Sequence, residues 1–502
     1  MVAGLLLALA PAAHAQSGIS GRDAAIQKAA SIPAVEASLS GLRGVNVDAQ
    51  LVGSHWQVIF GTPESARAQV DIDVLSGKVL LVFTGRQAEF PLARGPLSGF
   101  ARPKLNALWL WLPLTLIFVG AFFDRRRPWR LLHLDLAAVA VLGISYAFWM
   151  DGKLGTSVPL VYPTLAYVLV RMLVAGFKPR ARAGPVTWLP ARVLIVLTLA
   201  LLALRIGLTL LDPFVSDIGY ASVAGADRVK DGLELYTRGG AHFDTYGPLA
   251  YLLYIPFILV WPFHESQANP PAAQAAAILW DVLTVAGLVV LGRRLRIGWA
   301  LALAWCACPF TALTVVDSTN DGLVAVLLVW AFVAYKSPAL RGALAGAAAA
   351  AKIAPGFVLP VLARGTGRLS WRNGAICLVV ALAVIAVSLA PVLPPGGLRE
   401  FYDTTIGFQL HRHSPFSIWS QEPGLHWLQT LLKAASLGLA IALAFIPRGS
   451  RTVAQMAALA AAVLIAGEIP LQHWFYLYVA WFLPLYCLAL FSEHAADEQP
   501  AA

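Results

Sequence analysis

The sequence predicts an all-α polytopic membrane protein with a small N-terminal α+β domain. Three observations predict that class. Across 502 residues, 58% are hydrophobic and only 13% charged, with a mean hydropathy of +0.69, which is more apolar than soluble globular domains are. From about residue 105 onward, apolar runs long enough to cross a bilayer follow one another. Ahead of them, residues 17–96 open as a helix and then alternate apolar and polar side chains with the period of half-buried strands.

The net charge of +10 arises from 37 Lys and Arg against 27 Asp and Glu. In a chain this apolar, basic loops on the cytoplasmic side account for the excess, and no basic face with interleaved aromatics points to nucleic acid. All four cysteines, Cys306, Cys308, Cys377 and Cys487, lie in apolar runs. That arrangement supports neither a disulfide framework nor a zinc site, and Cys306 and Cys308 in "WCACP" are assigned to helix packing.

Residues 1–16, "MVAGLLLALAPAAHAQ", have the apolar core and Ala-His-Ala ending of a signal peptide, without basic residues ahead of the core. In the domain that follows, "GRDAAIQKAASIPAVEASL" is helical. Trp56, Val58 and Phe60 share one strand face, as do Val70, Ile72 and Val74, and a turn at Ser76 and Gly77 leads to Val79, Leu81 and Phe83. The pattern "HWQVIFG…AQVDIDVLSGKVLLVFTG" resembles PepSY-type extracytoplasmic domains. Nothing in it carries catalytic chemistry, which leaves it a binding or regulatory role.

Four clear spans open the membrane region, at about 105–123, 131–149, 158–177 and 190–211. The basic clusters "DRRRPWR", "KPRARAGPVTWLPAR", "RRLR", "KSPALR", "RGTGRLSWR" and "RGSR" mark cytoplasmic loops. Placing them all on one side makes 278–292, 298–315 and 321–336 crossings and keeps 246–263 as a juxtamembrane or re-entrant helix on the outer face. It makes 342–362 a hairpin entering from the cytoplasm, with Lys352 near its tip. The crossings 374–392, 425–446, 452–469 and 473–491 bring the count to about eleven transmembrane helices plus the hairpin. Residues 493–502 form a cytoplasmic tail, and the N-terminal domain is extracytoplasmic in a plasma-membrane protein.

This topology gathers polar residues at the outer ends: Asp212, Asp217, Asp227, Asp244, Asp281, "DSTND" at 317–321, Lys352, "HRH" at 411–413, and Gln472 with His473. Outer cations run against the usual bias and call for an anionic partner, for which a lipid phosphate is suited to the fork of Arg and the point charge of Lys. Lys352, inside "AAAAAKIAPGF", costs about 2.5 to 3.5 kcal/mol on insertion scales when central in a membrane helix, so it needs a ligand or polar partner.

The order "SDIGYASVAGADRVKDGLELY…DTYGPLAYLLYIP" resembles the first extracytoplasmic loop of GT-C glycosyltransferases, which use polyprenyl-phosphate sugars. Asp217, Tyr220, Gly232, Tyr236, Tyr246, Pro248 and Leu249 occupy the places of that pattern. "ALAGAAAAAKIAPGFVLP", "REFYDTTIGFQLHRHSPFSIWSQ" and "QHWFYLYVAWFLP" resemble segments of bacterial members related to family 87 mannosyltransferases. The likeness covers 190–492 and leaves 97–189 as a three-helix membrane addition. It implies a GT-C-like fold and transfer of one sugar, mannose or another hexose, from a polyprenyl-phosphate donor to an extracytoplasmic glycan or glycolipid acceptor. Many GT-C enzymes carry a second acid where this chain has Gly219, so the expected transfer is metal-independent and inverting, with no metal or other cofactor. Under this reading Asp217 is the general base. Lys352, Arg412 and His473 bind the donor phosphate, and Tyr220, Asp244, Tyr246, Asp317, Asn320, Asp321, His411 and His413 line the substrate.

Plainer roles are open to the same residues. Asp217 and Asp244 suit helix N-caps, Asp317, Asn320 and Asp321 suit the ends of two spans, and Lys352 could snorkel from its hairpin. His411, His413 and His473 suit an interfacial belt, as do Tyr220, Tyr246 and Trp419. Asp227, Asp231 and Glu234 read as a wet helix face. Two other activities share the class: a ligase moving a finished glycan from a lipid carrier, and a transporter or flippase of envelope precursors. The second lacks its usual signs, since no internal repeat or midplane polar site is visible. A non-catalytic scaffold or sensor would leave the acidic mouth and the outer cations without a shared purpose.

Overall fold

The computed structural model describes residues 19, 21–62, 65–100, 102–179, 184–237, 245–412 and 414–494. The signal segment, Asp244, His413 and the end of the tail lie outside them. Two compact units divide between Ser98 and Gly99.

In the first unit, helices α1 (Arg22–Ala30) and α2 (Pro33–Leu39) precede strands β1 (Asn46–Val52), β2 (His55–Thr62), β3 (Ser65–Asp73) and β4 (Val79–Thr84). The strands form an antiparallel meander in sequence order. Val58, Phe60, Val70 and Ile72 pack against Ala25, Ala29 and Val35 of the helices, as their period of two requires. Strand β1 is an edge strand with only Ala49 buried, so its alternation is faint and the sequence reading passes over it. A register shift beside Ile72 breaks the alternation expected for β4. Val79 and Val82 turn to the helices, while Phe83 is buried under the Arg94 guanidinium, 4.1 Å from its ring.

The second unit is helical. Its first three apolar helices, α3 (Leu108–Gly120), α4 (Leu131–Met150) and α5 (Leu154–Phe177), are followed by α6 (Ala191–Leu211) and the polar α7 (Asp217–Lys230). Two short pieces, α8 (Leu249–Leu252) and α9 (Ile255–Val260), lead to α10 (Pro271–Arg294), α11 (Ala300–Ala307), α12 (Pro309–Val316) and α13 (Asp321–Val333). Then come α14 (Pro338–Ala351), α15 (Leu359–Arg364), α16 (Trp371–Leu389), α17 (His426–Ala442), α18 (Val453–Glu468) and α19 (Val479–Ser492).

Among the described residues, five helices (α4, α5, α6, α10 and Trp371–Val392) are long and apolar enough to cross a membrane; a bent pair makes six. This is fewer than the eleven expected, because several apolar runs are broken or short. The run from 298 breaks at Cys308, whose extended backbone sets Pro309 at the first turn of α12. It breaks again at 317–320, where Ser318 adopts φ +49° and the chain bends by 118° into α13. Residues 246–263, which are not among those eleven, form only the two short pieces α8 and α9, below the length of one span.

The 338–364 segment folds back on itself. Arg341, near the start of α14, donates through Nε to Leu362 O at 2.7 Å, near the end of α15. Both limbs therefore end at one level, and Lys352 lies at the opposite, looped end. The 14 residues of α14 separate the two levels by about 20 Å.

Asp281 does not lie at an outer end. It is buried midway along α10 in an ion pair with Arg205 of α6, Nη2 to Oδ1 3.0 Å, and its Oδ1 also accepts from Trp305 Nε1 at 2.8 Å. Arg205 Nη1 donates to Trp305 O at 3.0 Å, so the pair ties α6, α10 and α11 together. A second buried pair joins the early helices to the end of the chain. Arg171 of α5 bonds Asp135 of α4 at 3.0 Å and Glu493 at 3.0 Å, which draws Glu493 into the bundle rather than into a free tail.

Candidate active site

Helix α7 opens the site. Ser216 is its N-cap, with Oγ accepting from Gly219 N at 3.4 Å, and Ser216 N donates to Asp317 O at 2.9 Å. Capping therefore falls to Ser216, and Asp217 occupies the first helical turn with its carboxylate exposed. Its Oδ1 accepts from Ile218 N at 2.9 Å. The carboxyl pKa is raised above the ordinary aspartate value. Crowding by surrounding protein is the main cause, offset in part by the Ile218 N–H and the charges of Arg412 and Lys352.

Gly219 explains the missing second acid. A Cβ at this position would collide with the carbonyl oxygen of Ser318, so α7 rests on the 317–320 turn with no room for any side chain. Gly247 plays the same part opposite. A Cβ there would strike the Ala350 carbonyl, and Gly247 N donates to Ala351 O at 3.1 Å, seating Tyr246 against the hairpin tip.

Lys352 is not a free cation. Its Nζ bonds Asp321 Oδ1 at 2.5 Å and lies 5.3 Å from the ring centres of both Tyr246 and Trp481. Trp481 Nε1 donates to the same Asp321 oxygen at 2.9 Å. The plain snorkelling role is thus replaced by a buried ion pair under two aromatic faces. Asp321, with 0% exposure, and Asn320, whose Nδ2 donates to Ser222 Oγ at 3.0 Å, are interior groups. Asp317 is equally buried. All three are buried here, where the sequence reading set them along the substrate: this turn carries α7, and Asp321 holds Lys352.

Arg412 follows a π-helical stretch, Asp403–Gly407, and the short helix Phe408–His411. It is half-buried, and its guanidinium Nη1 donates to Gln409 Oε1 at 3.3 Å. His473 lies between α18 and α19, its Nδ1 2.8 Å from Ser414 Oγ. Arg412 and Lys352 both act electrostatically on His473, on Asp217 and on each other. Four residues from four distant stretches, Asp217, Lys352, Arg412 and His473, therefore share one electrostatic neighbourhood, and the Tyr246 hydroxyl feels Asp217 and Arg412 as well.

The remaining candidates fall elsewhere. Tyr220 donates to Glu265 O at 3.2 Å and packs edge-on against Phe263, a brace for α7 rather than a wall of the site. His411 is exposed, its Nδ1 donating to Gly407 O at 2.9 Å. Asp227 pairs with Lys230 at 2.5 Å on the wet face of α7. Trp419 is buried, with Nε1 donating to Ile469 O at 2.8 Å.

Sequence reasoning missed Glu468, the last residue of α18. It is 1% exposed, its Oε2 accepts from Trp474 Nε1 at 3.2 Å, and its charge reaches Asp321. An acid closing the apolar run "AALAAAVLIAGE" is the signal that could have flagged it. Trp481 and Ser414 carried no signal, because their importance comes from what they touch.

Residues 245–471 match the family model described as Glycosyltransferase family 87. Lys352, Arg412 and Glu468 fall inside the match, Asp217 before it and His473 just after. No curated protein and no solved structure matches the chain. Through this region, a little under half of the chain, the protein is similar to glycosyltransferase family 87.

Proposed function

We propose that this protein transfers a single sugar, mannose or another hexose, from a polyprenyl monophosphate to an extracytoplasmic glycan or glycolipid at the plasma membrane. One observation carries the reading. An accessible carboxylate, Asp217, has its pKa raised by its surroundings and stands within electrostatic reach of Arg412 and Lys352.

The acceptor hydroxyl oxygen attacks the anomeric carbon while its proton passes to Asp217, and the bond from that carbon to the phosphate oxygen breaks with inversion. Raising the carboxyl pKa makes Asp217 a stronger base. The phosphate leaves with one more negative charge, which Arg412 receives as a planar fork and Lys352 as a point charge held by Asp321. His473, steadied by Ser414, supplies a further donor. The interior position of Asp321 makes it a positioning residue for Lys352. The exclusion of a side chain at Gly219 supports a reaction without a metal held by paired acids.

The test is purified protein in nanodiscs with polyprenyl-phosphate-mannose and glycolipid acceptors, run beside lipid-pyrophosphate oligosaccharide donors. Transfer from the monophosphate donor, abolished by Asp217→Asn, supports the reading. Equal rates for wild type and Asp217→Asn, or use of oligosaccharide donors alone, overturns it.

A further inference from the structure

At the level where hairpin α14–α15 closes, opposite Lys352, two more arginines are buried. Arg364 is 4% exposed and Arg451 2%. Arg364 Nη1 donates to Gly367 O at 3.0 Å and Nη2 to Gly449 O at 2.8 Å, while Arg451 Nη2 donates to Ile446 O at 2.6 Å. Gly367 and Arg451 also pair through their backbones, which clamps the two loops together.

The charges are uncompensated. Among the described residues neither guanidinium has a carboxylate partner, and Arg364 Nε, Arg451 Nε and Arg451 Nη1 are buried with no hydrogen-bond acceptor. Buried charges are normally paired, and an orphaned buried donor calls for a missing water or ion. Here the two groups repel as well: burial first, and then the charge of Arg364, brings Arg451 down to about 10. The N-termini of α16 and α18, at Trp371 and Val453, adjoin these loops and add positive potential.

We propose that the junction of loops 364–372 and 446–452 binds a phosphate group between Arg364 and Arg451. Guanidinium forks fit phosphate oxygens with paired N–H donors. The surroundings suit the phosphate of an anionic lipid headgroup. Arg368, Arg372 and Arg448 are exposed around the junction, and Trp371, 70% exposed, packs on exposed Phe445 at 5.9 Å, the pairing of cations and aromatics found at headgroup depth. Carbonyls of the Ile446–Gly449 turn hold Arg364 Nη2 and Arg451 Nη2, which leaves Arg364 Nε, Arg451 Nε and Arg451 Nη1 as the donors for phosphate oxygens.

The test uses delipidated full-length protein in nanodiscs of phosphatidylcholine, with and without phosphatidylglycerol, and in phosphatidylcholine with added inorganic phosphate. Thermal unfolding and native mass spectrometry are the readouts. Wild type should show a higher Tm and retained lipid with phosphatidylglycerol. The Arg364→Gln/Arg451→Gln variant should lose both, and Arg448→Gln should keep them. If that double variant does not fold, Arg451→Lys keeps the charge without the fork, and phosphatidylglycerol binding should weaken about tenfold. A rise with inorganic phosphate equal to that with lipid assigns the site to the free anion. A rise with neither, or one that survives in Arg364→Gln/Arg451→Gln or, where that does not fold, undiminished in Arg451→Lys, overturns the proposal.

Discussion

Lys352 Nζ lies 2.5 Å from Asp321 Oδ1, joining the tip of a folded-back hairpin to the first turn of a helix that follows a 118° bend. Neither element is a complete span, and each holds the other in place through this pair. Removing one partner strands a buried charge, so Lys352→Met or Asp321→Asn alone should destabilise by about 3 to 5 kcal/mol. The double variant should be less destabilised than the sum of the two. A double-mutant cycle of thermal unfolding checks this, and additive losses would show that the pair carries no coupling.

Asp217→Asn should lower kcat by about a hundredfold to ten-thousandfold, the usual worth of a positioned base. In wild type the acid limb of the pH–rate profile should lie above the ordinary aspartate value of 3.8, following the direction of the shift. The stability effect has the opposite sense. A carboxyl whose folded pKa is raised favours the fold while protonated and loses that contribution as pH rises through the raised value. Asn, which never ionises, should therefore leave Tm at neutral pH equal or higher, with any gain vanishing toward pH 3.

Gly219→Asp would place a second acid two residues after Asp217, yet it should cost activity and stability together. Its Cβ meets the Ser318 carbonyl, and overpacking of this kind costs about 1 to 3 kcal/mol. Added magnesium or manganese should not rescue transfer. A divalent-dependent gain in rate would contradict the account of this position.

Arg412→Lys keeps the charge and loses the fork. Its kcat/KM for the lipid-phosphate donor should fall about tenfold, and Arg412→Ala should fall further, in keeping with about 1.5 to 3 kcal/mol for hydrogen bonds to charged groups. Steady-state kinetics with the acceptor held saturating separates this from any acceptor effect.

Arg205→Met should unfold the bundle more readily than most core changes, since it leaves Asp281 buried and unpaired. The expected loss is about 3 to 5 kcal/mol, with partial recovery in Arg205→Met/Asp281→Leu as read by thermal unfolding.

Two residues of the candidate site stand out in the sequence itself. Asp217 stood out because an acid at the mouth of an apolar run needs a reason, and Lys352 because an ammonium inside polyalanine needs a partner. The partner itself was not legible. Asp321 was placed beside substrate, since nothing local distinguishes a carboxylate facing a cavity from one buried under Trp481. The exchange of Asp217 for Ser216 as the cap of α7 turns on one residue of helix phase, finer than pattern can resolve.

Hydropathy and period are sums over neighbours in the chain, so the membrane class, the strand faces of Val58 and Val70 and the basic clusters between apolar runs follow from the order of residues alone. Charge pairing is different. Asp321 with Lys352 and Trp481, Arg205 with Asp281, and Arg364 beside Arg451 join positions dozens of residues apart. Each depends on broken helices and tight loops bringing the chain back on itself, because the energy of a buried charge is set by what lies within a few ångströms in space, a quantity no window along the sequence contains.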